Sequence, residues 1–404
     1  MKALHRKLIR DLLKMKGQVF AIAMVLAAGI SMFVLMISTY DSLRISRDSY
    51  YEQNRFADVF ARLKSAPRHV ADKIGEIPGV SQAHTRIVRD VTLDIPNLDE
   101  VATGRLISLR IPKRPALNDP YLREGRFPES GEEAEILLSE PFALAHGYQP
   151  GDGVAAIING KRRMLEIVGI AISPEYIFAI KPGDVFPDNR RYGIIWMDEK
   201  ALEAAFNMEG AFNNVSLKLA RNASLPAVLD AVDEILEPYG GLDAISRKDQ
   251  ISNWFLENEF KQLQVMGRMI PLLFFSVAVF LLNIVLARLI RGQREQIGIL
   301  KAFGYGYWSM GAHFLSYVAV IVVAGTLIGV GVGAWLGSEM TQMYTDFFTF
   351  PVLRYTLDPK IIAIAFLFSL GAGTLGSLAT VKRAAGMPPA EAMRPEPPST
   401  LPSG

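Results

Sequence analysis

Four long apolar stretches, at 17–38, 269–290, 310–337 and 361–381, interrupt an otherwise polar chain, and the longest polar interval, 39–268, separates the first two. A hydrocarbon core about 30 Å thick needs roughly 20 apolar residues in a helix. Each stretch meets that length, the second being uncharged as far as Ala287. Lipid offers backbone groups no hydrogen-bond partners, so these segments are predicted to be helical. The pattern therefore predicts an α-helical membrane protein with four transmembrane helices and an extracytoplasmic mixed α/β domain between helices 1 and 2. The first apolar run is longer than a signal-peptide core and no small-x-small cleavage pattern follows it, so it is expected to remain as an anchor. Ahead of it, Leu4, Leu8, Leu12 and Met15 recur at helical spacing among basic residues, which predicts an amphipathic helix over 1–16 lying on the cytoplasmic membrane face.

The interval 39–268 opens and closes on helical patterns. Residues 38–56 contain neither Pro nor Gly, and Leu256, Phe260, Leu263, Met266 and Ile270 recur at spacings of three and four up to Pro271. Both read as stalks. Between them, 57–64, 82–95 and 103–111 alternate like strands, and 67–77 reads as a helix stopped by Pro78-Gly79. Asn159-Gly160, flanked by apolar runs at 154–158 and 163–170, predicts a tight hairpin. Residues 226–236 predict a helix with Pro226 in its first turn. The interval is long enough to bury its own core, with room for two subdomains.

Charge sets an orientation. Lys2, Arg6, Lys7, Arg10, Lys14 and Lys16 precede the first span, Arg288, Arg291, Arg294 and Lys301 lie between the second and third, and Lys382, Arg383 and Arg394 follow the fourth. The 338–360 connection has only Arg354 and Lys360 against Glu339, Asp346 and Asp358. Basic residues favour the cytoplasmic side. Both termini, the 291–309 loop and the 382–404 tail are thus expected in the cytoplasm of a bacterial plasma membrane, with 39–268 and 338–360 outside. The formal net charge of +2 gives no sign of nucleic-acid binding, and the lack of cysteine excludes disulfides and thiolate chemistry.

No catalytic or metal-ligating residue is predicted. His69, His84 and His146 lack ligand spacing; Ser139-Glu140 with His146 and Asp152 is too scattered to read as a triad; Glu132, Glu133 and Glu135 read as a solvated turn. Gly153 and Gly160-Lys161 have the wrong spacing for a phosphate-cradling loop. Apart from Arg288 at the cytoplasmic end of the second, the spans contain no charged residue, which disfavours an ion pathway. Asn283 and His313 are their polar exceptions, His313 being expected at the interface. Gly325, Gly329, Gly333 and Gly337 recur every fourth residue, a stripe that permits close helix packing within one subunit or across a dimer, and Gly371, Ala372 and Gly376 form a smaller one.

The 291–309 loop is more specific. A short helix over 293–303 places Ile299 and Phe303 near one another, with Gln296 and Leu300 beside them. So short a helix needs a partner surface. Arg294-Glu-Gln-Ile-Gly-Ile-Leu-Lys-Ala-Phe-Gly304 resembles the cytoplasmic loop of the FtsX-like permease family, typically R-x-E-I-G-x-L-K-A-x-G, with Gln296 inserted after Glu295. The tail from Arg383 through Pro389-Ala-Glu-Ala-Met-Arg394 resembles that family's close, with Met393 where Leu is usual. Gly125-Arg126, Glu135-Ile-Leu-Leu138, Gly147, Gly151-Asp152 and Ile167-Val-Gly169 resemble the extracytoplasmic domain of MacB-like transporters.

The resemblance implies the membrane subunit of an ABC transporter of the mechanotransmission type. Arg291, Arg294, Glu295, Ile297, Gly298, Ile299, Leu300, Lys301, Ala302 and Gly304 would dock on a separate ATPase subunit, which would bind ATP and Mg while this chain holds no cofactor. A charge at Gly298 or Leu300 is expected to uncouple that docking. Partners would be the ATPase, a second permease copy or homologous half, membrane lipid and, for export, a periplasmic adaptor. Members that regulate an extracytoplasmic enzyme without moving cargo offer the alternative function. The ending Met393-Arg-Pro-Glu-Pro-Pro398 resembles the junction after the first copy in double-length members, so a half-size permease and the first half of a longer chain both fit.

Overall fold

The computed structural model describes residues 2–96 and 98–388, so the 389–394 half of the tail motif and the 393–398 ending lie outside the described residues. The described chain divides into two compact units. One comprises 2–42, 262–342 and 355–388; the other comprises 43–261 and 343–354.

Helix α1 (Lys2–Lys14) leads almost directly into α2 (Lys16–Gln53). Strand β1 (Val59–Pro67), helix α3 (His69–Gly75) and strand β2 (Val80–Arg86) follow. Next come β3 (Val88–Asp94), β4 (Ala102–Leu109), β5 (Tyr121–Gly125), β6 (Glu135–Ser139), α4 (Glu140–His146), β7 (Gly153–Ile158) and β8 (Lys161–Ile172). The inserted region ends with β9 (Tyr192–Asp198), α5 (Glu199–Phe206), β10 (Ala211–Leu219), α6 (Leu225–Leu236) and β11 (Leu242–Ser246). The remaining helices are α7 (Ile251–Gly292), α8 (Arg294–Ala302), α9 (Tyr307–Met343) and α10 (Pro359–Gly386). Helices α2, α7, α9 and α10 are long and apolar enough to cross a membrane, and the α/β region lies between the first two, as the hydropathy pattern predicts.

Two sheets build the α/β unit. The smaller has the antiparallel order β11-β1-β10-β2. Val59, Ala61 and Leu63 alternate onto one face with Val215 and Leu217, and Val70 and Ile74 of α3 and Val228, Val232 and Leu236 of α6 cover that face. The larger sheet runs β5-β8-β6-β9-β4-β3-β7, and an additional β7–β8 pairing closes six of its strands into a ring. Long β8 permits this: Lys161–Glu166 pairs with β7, while Glu166–Ala171 pairs with β6. Asn159 and Gly160, at φ 47° and 78°, make the β7–β8 hairpin with the left-handed pair that a two-residue turn requires.

The single strand expected over 82–95 is two strands in different sheets. The break falls at Ile87, fully buried, whose N–H is held by Ser108 Oγ at 2.9 Å and whose carbonyl accepts the Ser108 N–H at 2.9 Å. Alternation continues through the break, so hydropathy alone does not mark it. Half of the 338–360 connection also belongs to the α/β unit. Arg123 donates to the carbonyls of Phe350 and Pro351 at 2.6 and 2.7 Å, and the Thr349 N–H meets Ile177 O at 2.9 Å.

Glu135 is not in a solvated turn. It is buried in β6 and takes hydrogen bonds from Arg126 and the Glu129 N–H. Glu132 and Glu133 are exposed. The MacB-like motif positions converge on the same corner. A Cβ on Gly125 would meet Val168 O at 2.2 Å, one on Gly169 would meet Arg126 O at 2.5 Å, and the Gly151 N–H bonds to Ile167 O at 2.7 Å. Those residues are demanded by strand crossing rather than by chemistry.

In the membrane unit the stripe on α1 differs from expectation. Leu8 is buried among residues of the long helices and Leu12 and Met15 pack against the same cluster, while Ile9 and Leu13 are exposed. The helix thus turns its Leu8 face to protein and a second apolar pair outward. His313, expected at the interface, is 6% exposed, tilted against Phe314 and edge-on to Tyr317. Asn283 of α7 accepts a hydrogen bond from Thr380 of α10. Gly371 has open space around it, and Gly373 and Gly376 make the close contacts of α10, with Val318 and Val279.

Candidate functional site

Helix α8 is short, yet both its ends are fastened. Gln293, the residue before it, donates through Nε2 to Asp11 Oδ2 at 3.0 Å and accepts from Lys7 Nζ at 2.6 Å. The same Asp11 oxygen accepts from Lys7 Nζ at 2.6 Å and from the Tyr317 hydroxyl at 2.9 Å. Burial pushes the Asp11 carboxyl pKa up, but hydrogen bonds from Lys7, Gln293 and Tyr317 outweigh it and hold the group below the usual carboxylate range. At the other end Lys301 Nζ donates to the carbonyls of Ala385 and Met387, each at 2.5 Å. These lie at the C-terminus of α10, where carbonyls lack helical donors and the dipole favours a cation. Gly304, at φ 92°, ends α8: its N–H bonds to Lys301 O at 3.0 Å and the Tyr305 N–H to Leu300 O at 3.2 Å, a left-handed stop that suits glycine.

The residues singled out in this loop divide between two faces. Ile297 and Gly298 are buried, and Arg294, Leu300 and Lys301 are half-buried, Leu300 packing on the core. Arg291, Glu295, Gln296, Ile299, Ala302, Phe303 and Gly304 are exposed. Phe303 is 80% exposed and Trp308 85%, with Tyr307 edge-on to Trp308. The result is an outward apolar surface on a helix anchored from behind.

The glycine stripe of α9 faces α2 of the same chain. A Cβ on Gly325 would lie 3.0 Å from Ala23 O, on Gly329 2.8 Å from Ala27 O, on Gly333 2.7 Å from Ser31 O, and on Gly337 2.9 Å from Ser38 Oγ. Gly331, off the stripe, has open space. The spacing of four thus reflects backbone-to-backbone approach of the two helices.

Ser139, His146 and Asp152 are occupied separately. Ser139 Oγ accepts from the Ile194 N–H, His146 Nε2 meets Arg190 O, and Asp152 accepts from the Gln149 N–H. Among the described residues no His, Asp or Glu group is arranged to hold a metal ion. Two polar features of the α/β unit escape sequence reading. One is the buried pair Arg86–Glu175, bonded at 2.7 and 3.1 Å. No spacing rule links two residues so far apart in the chain.

The other is His84 on β2, buried with Nε2 unpartnered, whose ring is pushed down to about 3 by burial and by the charges of Arg86, Arg110 and Arg55. An unfolded histidine titrates near 6.5, so between those values the unfolded chain binds more protons and stability falls as pH drops, by up to about 1.4 kcal/mol per pH unit. Replacing His84→Gln is expected to flatten that slope between pH 6.5 and 4. Parallel slopes for the two full-length proteins in denaturant titrations would contradict it.

Residues 268–389 match the family model for the FtsX-like permease C-terminal region, which takes in most of α7 and all of α8, α9 and α10. This C-terminal part of the chain is thus similar to the FtsX-like permease family. The matched residues include the fastened helix α8 and the glycine stripe. Two solved structures resemble part of the chain. The extracellular domain of the noncanonic ABC-type transporter YknZ from Gram-positive bacteria is 14% identical, covers 46% of this chain and 97% of its own, and has a TM-score of 0.30. The periplasmic region of MacB from Actinobacillus actinomycetemcomitans is 10% identical, covers 52% and 96%, and has a TM-score of 0.32. No curated protein sequence matches the chain.

Proposed function

We propose that this chain is the permease subunit of an ABC transporter, and that a separate ATPase subunit docks on α8 from the cytoplasm. The observation that carries this reading is the combination on α8: Ile299, Ala302 and Phe303 point outward, while Gln293 and Lys301 tie the helix to α1 and α10. An exposed apolar surface on so small a helix calls for a partner. A helix fixed at both ends moves as a body instead of fraying under load. ATP-driven closure of the partner would displace α8, and α1, α9 and α10 would move with it. Helices α2 and α7 each continue without interruption from one unit into the other, at Leu43 and Lys261. They give the displacement a stiff route to the α/β domain, for export or extraction of a substrate by a dimeric permease.

Gly298 and Leu300, where sequence alone would place a disruptive charge, face inward or pack on the core, so charges there would disturb folding. Ile299→Glu with Phe303→Glu tests the docking face without touching the interior. Pull-down of the tagged full chain from native membranes is expected to recover ATP-hydrolysing activity, falling at least about tenfold in the double variant, the ratio for roughly 1.4 kcal/mol. An unchanged unfolding midpoint shows the variant folded, and equal recovery of ATPase from both proteins would reject α8 as the docking site.

A further inference from the structure

The membrane unit contains a crevice of about 190 Å³ whose lining includes Phe33 of α2, Gly267, Arg268, Pro271 and Phe275 of α7, and Phe368 of α10. Its walls are almost wholly apolar. Phe275 is 4% exposed and stands edge-on to Phe368, ring centres 5.2 Å apart, while Phe368 is 51% exposed. The crevice thus has a closed floor and a side open to the surroundings. Proline keeps it open from within. Pro271 has no N–H, so the Gly267 carbonyl lacks its helical donor, and Gly267 itself is pressed on α2, where a Cβ would meet Ile37 at 2.9 Å.

Charge selects the occupant. Arg268 lines the crevice, is exposed, and makes no ion pair among the described residues. Lys360 lies one helical turn before Ile364, another lining residue, and likewise makes no ion pair there. The Asp358 carboxylate accepts the Lys360 backbone N–H as the cap of α10. A guanidinium at the mouth of a dry aromatic slot between spans matches a phosphate on a hydrocarbon chain. We propose that this crevice is a lipid site: it holds one acyl chain of an anionic diacyl lipid, with Arg268 on the headgroup phosphate. The site depends on the spans lying in a bilayer and is independent of the docked ATPase, so either reading can fail alone.

The test is native mass spectrometry of the full chain from micelles containing equal phosphatidylglycerol and phosphatidylcholine. Both carry the phosphate, and only the first is net anionic. Phosphatidylglycerol adducts are expected to exceed phosphatidylcholine adducts about fivefold, the ratio for a single basic side chain near an anionic headgroup. Arg268→Gln should bring the ratio to about one, and Arg268→Lys should keep most of it. Ala365 of α10 also lines the crevice, and Ala365→Trp, placing an indole in the slot, should remove both adducts. Equal retention of the two lipids by the unaltered protein, or a ratio unmoved by Arg268→Gln, would overturn the site. So would adducts on monomers with none on dimers, since a second copy would then cover the crevice. The Arg268 pair decides the question even if the Ala365→Trp protein does not fold.

Discussion

Asp11→Leu is expected to loosen α8 and raise hydrogen exchange of the 294–302 amides about a hundredfold. One Asp11 oxygen takes hydrogen bonds from Lys7, Gln293 and Tyr317, and Asp11 is only 6% exposed. Leucine would leave the Gln293 amide N–H without its acceptor, the Lys7 ammonium with Gln293 Oε1 alone, and the Tyr317 hydroxyl with a 3.5 Å contact to His313. Removing one partner of a buried ion pair costs about 3 kcal/mol or more, and about 1.4 kcal/mol is a factor of ten. Lys7→Met added to Asp11→Leu should restore part of the protection, because apolar replacement of both partners leaves fewer stranded groups. Exchange mass spectrometry of the full chain measures this, and full protection in Asp11→Leu would mean that α8 is held by its other contacts. The folded carboxyl is held below its ordinary range, so the clamp is complete at neutral pH and is lost as acidification carries pH through the folded value.

Arg86→Leu is expected to destabilise the α/β unit by about 3–5 kcal/mol, the cost of breaking a buried pair from one side. Arg86 donates to both Glu175 oxygens, to Asn214 Oδ1 at 2.7 Å and to Ser216 Oγ at 3.2 Å, and Asn118 donates to Glu175 at 3.1 Å. Without the guanidinium, Glu175 keeps a buried charge and two neighbouring polar groups lose a donor. Arg86→Leu with Glu175→Leu should regain much of the loss, since the ion pair itself adds little over apolar packing. With Trp308→Phe and Trp335→Phe in the background, urea unfolding followed by Trp196 and Trp254 fluorescence reports on this unit, which contains both. A loss below about 1 kcal/mol would mean that water, not Arg86, solvates Glu175.

Elements with a local cause were legible in the chain. The Asn159-Gly160 hairpin, the helix at 226–236 and the short helix between the second and third spans all occur, because turn chemistry, Pro at a first turn and helical periodicity act within a few residues. The faces of α8 were legible only in part. Ile299 and Phe303 are outward, but Gly298 sits inside, and a nine-residue segment does not show which stripe its neighbours cover. His313 reads as interfacial from its place near a span end but is buried on the side of α9 where Tyr317, one turn on, bonds to Asp11 of α1.

Hydropathy by itself determined the four long helices and the inserted domain, because the absence of water in a bilayer penalises every unpaired backbone group in the same way. Glycine spacing likewise announced a close helix contact. Tertiary structure decided with what: α9 lies on α2, the strand pattern divides at Ile87 into two sheets, and Asp11 and Lys301 reach across the chain to fasten α8. Those choices depend on which distant groups meet, and a hydrogen bond between residues hundreds of positions apart leaves no periodic trace in the chain.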